Sequence, residues 1–172
     1  SGDRAAQIYT RMLANHPFSP LAPEVRWRLA EHYFDSENFP QALTQYKTLA
    51  NGKNAFSRKA KYKLGATYFV QNRFQEAGQV FYDLMKESYS SLGSRDPEVS
   101  TVYDESIDYL AHLRAKQVDF KFDDDTDSLV TERLAQAYRR IQDEEQARKT
   151  YLDYVARNQL SRVSPRFMSS VI

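Results

Sequence analysis

Hydrophobic and polar positions follow a helical period along this chain, and one arrangement of them comes back three times. Leu29, Ala30 and Tyr33 are followed, after eight intervening residues, by Ala42 and Tyr46. Leu64, Gly65 and Tyr68 stand in the same relation to Ala77 and Phe81, and Leu134, Ala135 and Tyr138 to Ala147 and Tyr151. The second set lies 35 residues after the first, and the third lies 70 after the second, twice that distance. A fixed period of this length marks stacked supersecondary units, each too small to bury its own apolar face.

The punctuation between these positions predicts helices throughout. Pro23 suits the first turn of a helix over about 24–36. A second runs over about 39–51, with Asn38 as its cap and Asn51-Gly52 as its stop. A further pair covers about 56–71 and 73–91, parted by Asn72. Asp96-Pro97-Glu98 opens a helix to about 116, with Val99, Val102, Tyr103, Ile107, Leu110 and Leu113 on one stripe. A last pair spans about 128–141 and 144–157, with Asp143 as the cap between them. Near Ser100, where strict register would place another copy of the pattern, there is none. A repeat-sized insertion, one helix plus a loop at 117–127, fills the gap.

The pattern resembles the tetratricopeptide repeat (TPR). That resemblance implies an all-α fold: an α-solenoid of antiparallel helix pairs in a right-handed superhelix, with one irregular helical insertion. On this reading residues 3–17 form a half repeat, with Ala5, Tyr9 and Pro17 matching a second helix. Residues 23–54 and 56–92 are full repeats, 97–127 a degenerate helix plus loop, 128–160 a repeat and 161–172 the start of the next. The stretch 158–165 echoes 16–23, and Ser1-Gly2 reads as a remnant of tag removal, so the chain is expected to be a piece of a longer array. The strings at 17–23, 62–69 and 105–111 are similar to those of large bacterial TPR proteins of the cell envelope. This second resemblance implies a scaffold in a multiprotein envelope machine, with a lean towards the periplasm.

Composition removes several classes of function. With 24 basic and 23 acidic residues the net charge is +1, and the basic residues are interleaved with acids. No field draws the chain to nucleic acid or an anionic membrane, so nucleic-acid binding is a distant alternative. Cysteine is absent, which removes disulfides and thiolate metal sites. No run is long and apolar enough to span a bilayer. His16, His32 and His112 lie on different segments without ligand spacing, and no Gly-rich phosphate loop exists. The expectation is a protein that is not an enzyme and holds no cofactor. The run Asp123-Asp124-Asp125-Thr126-Asp127 offers alternating oxygens, but a calcium loop needs Gly sixth and Glu twelfth, where Ser128 and Leu134 stand. It is read as a solvated loop whose last Asp or Thr caps the next helix, with no metal.

The TPR resemblance implies a concave groove lined by the first helix of each repeat. Carried onto this sequence, it gives Glu24, Trp27, Arg28, Glu31, Phe34 and Asp35 in one repeat, Lys59, Tyr62, Lys63, Ala66, Phe69 and Val70 in the next, and Glu132 and Gln136 beside the arginines of the last. Arg133, Arg139 and Arg140 make a basic end in the last. Aromatic and Arg side chains dominate binding hot spots. Trp27, Phe34 and Phe69 have a second reading, as packing between repeats, and the arginines as a solvated helix face. Glu31 would repel a carboxylate, which argues against the clamp for C-terminal carboxylates that some TPR proteins use. The expected function is a scaffold that holds a partner protein or peptide in this groove, with self-association as the alternative.

Overall fold

The computed structural model of the chain describes residues 2–93 and 96–171. Among these residues it is all-helical, in the order α1 (Gly2–Asn15), α2 (Ala22–Asp35), α3 (Phe39–Ala50), α4 (Ser57–Val70), α5 (Phe74–Tyr89), α6 (Pro97–Ala115), α7 (Asp124–Arg140), α8 (Glu144–Arg157) and α9 (Ser164–Ser169). The chain falls into two compact units that divide within α5, Ser1–Val80 and Phe81–Ile172. In the first, α2 packs on α1 and α3, and α3 on α4. In the second, α7 packs on α6 and α8, and α8 on α9.

The recurring residues are the core. Leu29, Ala30, Ala42 and Tyr46 are buried in the first unit, and Leu134, Ala135, Ala147 and Tyr151 in the second. Ala30 and Ala135 are small and buried, and Tyr46 and Tyr151 are the buried aromatics of the helices that pack on theirs within the same unit. Full burial of each Leu or aromatic side chain is worth about 2 kcal/mol. On the predicted stripe of α6, Val99, Val102, Ile107, Leu110 and Leu113 are buried, while Tyr103 stays half-buried.

Two small turns set where the helices start and stop. At the end of α2, Glu37 takes a left-handed conformation (φ 56°), and the N–H of Asn38 donates back to the carbonyl of Tyr33. Asn72, Gln117 and Gln142 repeat this (φ 57°, 58° and 63°), with Arg73 donating to Tyr68, Val118 to Leu113 and Asp143 to Tyr138. The bond satisfies a carbonyl that the helix end would leave open. Holding a side-chain-bearing residue in this conformation costs about 1 kcal/mol, least for Asn. Before α2, Ser19 Oγ accepts the N–H two residues on, and its carbonyl accepts the N–H three residues on. Asn54, Asp96 and Ser161 make the same pair of bonds before α4, α6 and α9. The echo between 16–23 and 158–165 is thus one turn built twice.

By both turns α6 is a first helix, with Leu113 in the place of the recurring Tyr. Its second helix is replaced by a strap over 118–123. Phe120 and Phe122 pack on each other (5.1 Å between ring centres) and each on Tyr82 (6.1 Å). The Arg114 guanidinium lies 5.0 Å over Phe122. Asp123 then accepts from Tyr82 (2.6 Å) and pairs with Lys86 (2.5 Å).

The acidic run departs from the expectation of a solvated loop. Its first member, Asp123, is the cap, accepting the Thr126 N–H at 2.8 Å, and α7 begins at Asp124. Burial works against ionisation of Asp123, but bonds from Lys86, Tyr82 and Thr126 outweigh it and hold its pKa far below the usual carboxylate range. Asp127 is buried and holds Arg114 (2.6 Å), Arg157 (3.4 Å) and Asn158 Nδ2 (2.7 Å). Asp124 accepts from Tyr154 (2.5 Å) and Ser161 (2.8 Å). Carboxylates in a first turn face the positive end of the helix dipole, and cationic partners from α6 and α8 complete their bonding. Asn38 occupies the cap position of α3 without a side-chain bond, whereas Asp143 caps α8 as expected, and Asp96 caps α6.

Two outcomes follow from this geometry. Gln142→Gly relieves the left-handed strain and raises stability by about 1 kcal/mol, whereas Asn72→Gly changes it little, since Asn already tolerates that conformation. Urea unfolding reads both, and a loss of stability at Gln142 contradicts the assignment of strain. Asp127→Ala leaves Arg114 partly buried beside no carboxylate and lowers stability by about 3 kcal/mol in the same experiment. A loss as small as that of an exposed ion pair shows that the network is ornamental.

Candidate partner-binding pocket

The exposed side of α2 is one stripe. Glu24, Trp27, Arg28, Glu31, His32 and Asp35 recur at three- and four-residue spacing, so they stand above one another on the helix. With Tyr9 of α1 and Phe56 at the start of α4, they line an open pocket of about 630 Å³ in the first unit. Trp27 forms its inner wall. The indole is half-buried, stacked on Phe56 (5.7 Å, 26°) and tilted on Tyr46 (5.9 Å, 60°).

The charged groups around the indole are tied to each other. Arg28 donates through Nε (3.1 Å) and Nη2 (2.7 Å) to one Glu24 oxygen, a bond that raises the guanidinium pKa. Glu31 accepts the Tyr46 hydroxyl with one oxygen and pairs with Lys63 (3.0 Å) through the other. Tyr46 is fully buried; burial first, and then its bond to Glu31, push the hydroxyl pKa far above the usual tyrosine range. Lys63 also lies 4.8 Å over the Phe34 ring.

The predicted groove residues therefore separate. Trp27, Arg28 and Glu31 share the pocket, and Phe34 and Lys63 adjoin it through Glu31. Phe34 packs edge-on against Phe39 (5.8 Å), and Phe69 against Phe74 (5.5 Å), the same contact across the left-handed turn one repeat later. Tyr62 is half-buried on α4 and outside the pocket lining. In the second unit Arg133 is held by Asp108 (2.8 Å) and Asp104 (2.9 Å). Arg139 pairs with Glu144 (3.4 Å) and lies 5.4 Å over Tyr151. Arg140 lines a small recess with Asp108 and Arg133. Ion pairs thus already engage Arg133 and Arg139, two of the three arginines at the expected basic end. The groove expected from the sequence lacks Tyr9, His32 and Phe56, which also line the pocket.

Among the described residues, no three acidic or histidine side chains converge in a way that could hold a metal ion, and no helix is long and apolar enough to cross a membrane. Tetratricopeptide repeat family models match the chain, one over residues 2–55 and 28–89 and another over 132–161. The chain belongs to the tetratricopeptide repeat family. The matches are to the repeat itself and carry no organism or compartment; between them lie α6 and the strap. No curated protein matches the chain. TPR units commonly mediate protein–protein interaction, and the proteins that carry them are generally non-catalytic scaffolds.

Glu31 and Lys63 separate structure from surface at this site. Glu31→Ala strands the buried Tyr46 hydroxyl and costs about 2 kcal/mol of stability. Lys63→Ala removes a partly exposed ion pair and a cation–ring contact and costs about 1 kcal/mol. Thermal unfolding of the two variants checks the order; equal losses overturn this account of Tyr46.

Proposed function

We propose that the chain is a non-catalytic scaffold within a larger assembly, and that it holds a segment of a partner protein against the exposed stripe of α2. The observation that carries this reading is the pocket itself. A half-buried indole stands at the wall of an open cavity on a first helix, while the packing roles of that helix are filled by Leu29, Ala30 and Val25. A large rigid aromatic left at a surface recess is the residue type that anchors protein interfaces. Paired charges at the rim, Glu24 with Arg28, supply directional bonds at little desolvation cost.

Panning a random peptide library on the wild-type chain tests this. Selected peptides are expected to bind wild type and to lose roughly tenfold or more in affinity on Trp27→Ala. Because Trp27 also packs on Tyr46 and Phe56, the exposed substitution Arg28→Glu is measured beside it and is expected to change the affinity of the same peptides. Peptides that bind both variants as tightly as wild type place the interaction elsewhere and remove the pocket from the reading.

A further inference from the structure

This chain repeatedly builds one small arrangement, a cation lying over an aromatic ring with a carboxylate beside it. Lys63 lies 4.8 Å over Phe34 and 3.0 Å from Glu31. Arg114 lies 5.0 Å over Phe122 and 2.6 Å from Asp127. Arg73 repeats it with Tyr68 and Glu76, Lys86 with Tyr82 and Asp123, and Arg139 with Tyr151 and Glu144. The ring face attracts the cation, and the carboxylate fixes its position.

The α2 pocket has the same rings and carboxylates, and the basic side chains in its lining, Arg28 and His32, do not lie over its indole. Its rings are Trp27, Phe56 and Tyr9, and its carboxylates are Glu24, Glu31 and Asp35. Indole is the strongest of the natural rings for a cation, yet among the described residues no cation lies over Trp27, and no ion pair engages Asp35. Arg28 is turned to Glu24 and Lys63 to Glu31, so one carboxylate of three is uncompensated. We infer that the pocket takes a basic side chain, Arg or Lys, presented by the partner protein. This rests on the pocket reading above and names its chemistry. An acidic anchor would meet Glu31 and Asp35 at close range. An aliphatic one would strip water from both and return no bond. A guanidinium or ammonium meets the ring and the carboxylate together.

The only tryptophan of the chain stands in the pocket, so its emission reports occupancy directly. The probes are Gly-Ser peptides with one central Arg, Lys, citrulline, Leu or Glu. Arg and Lys peptides are expected to shift Trp27 emission saturably and to bind roughly tenfold more tightly than the citrulline peptide, which keeps the shape of Arg without its charge. Raising salt weakens them. Asp35→Asn, an exposed change checked for folding by circular dichroism, is expected to reduce Arg and Lys affinity and leave citrulline unchanged. If citrulline, Leu or Glu peptides bind as well as Arg, the basic anchor is wrong, while loss of their binding on Trp27→Ala leaves the pocket reading standing. No response from any peptide overturns the inference as well; library peptides indifferent to Trp27→Ala overturn the pocket reading with it.

Discussion

The first helices α2, α4 and α7 each stop and reverse within three residues, and in α2 and α7 the helix that follows covers part of the apolar stripe. A left-handed residue does this at Glu37, Asn72 and Gln142, and the chain spends no glycine on it. What compensates the strain is a backbone bond to the carbonyl of Tyr33, Tyr68 or Tyr138 and, in the first two cases, an aromatic pair closing over the turn. Those contacts fix the separation of the two helices of a pair. Within each unit the small residues at 30 and 135 and the aromatics at 46 and 151 are buried on helices that pack on each other. A longer or looser connection would let the pair slide, and the same side chains would no longer fill the same space.

The same constraint explains the irregular stretch. α6 starts and stops with the turns of a first helix, but after Gln117 the chain runs out along Phe120 and Phe122 instead of folding back as a helix. Aromatic rings and one guanidinium cover part of what a second helix would cover, and they do so in six residues. The saving in length carries an electrostatic demand. α7 begins with four carboxylates in its first turn and at its cap, and apart from the Thr126 N–H on Asp123 the described bonds to them come from neighbouring elements: Lys86 and Tyr82 to Asp123, Tyr154 and Ser161 to Asp124, Arg114, Arg157 and Asn158 to Asp127. In place of an apolar interface, this region is held by a polar one.

That difference marks the boundary of what the sequence made legible. Helix pairs, the helix opening at Asp96, the cap at Asp143 and the buried pattern residues are short-range consequences of spacing, so they could be read directly. The acidic run could not. Five polar residues in a row look like a loop unless their cationic partners, 13 residues before Asp127 and 30 after it, are known to converge there. The pocket was half legible for the same reason. Trp27, Arg28 and Glu31 share a helix face and follow from α2 alone, whereas Tyr9 and Phe56 reach the pocket from other elements. Phe34 and Phe69 illustrate the converse. Their helical position suggested a groove, but each meets the aromatic five residues ahead, beyond the end of its helix, a contact that only the turn creates.

The pocket and the core are not separable. Glu31 lines the cavity and also holds the hydroxyl of Tyr46, a fully buried residue of the pattern, while its other oxygen holds Lys63 over Phe34 beside the turn. Trp27 has the same double duty, walling the cavity and packing on Tyr46 and Phe56. Changes at these two positions are paid in stability before they alter what the pocket accepts. Arg28 and Asp35 carry no such load, since both are exposed and neither supports a buried group. On the function proposed for this pocket, specificity that varies without unfolding the repeat is written at the rim, in the sign and reach of those two side chains, over aromatic rings that the core also uses.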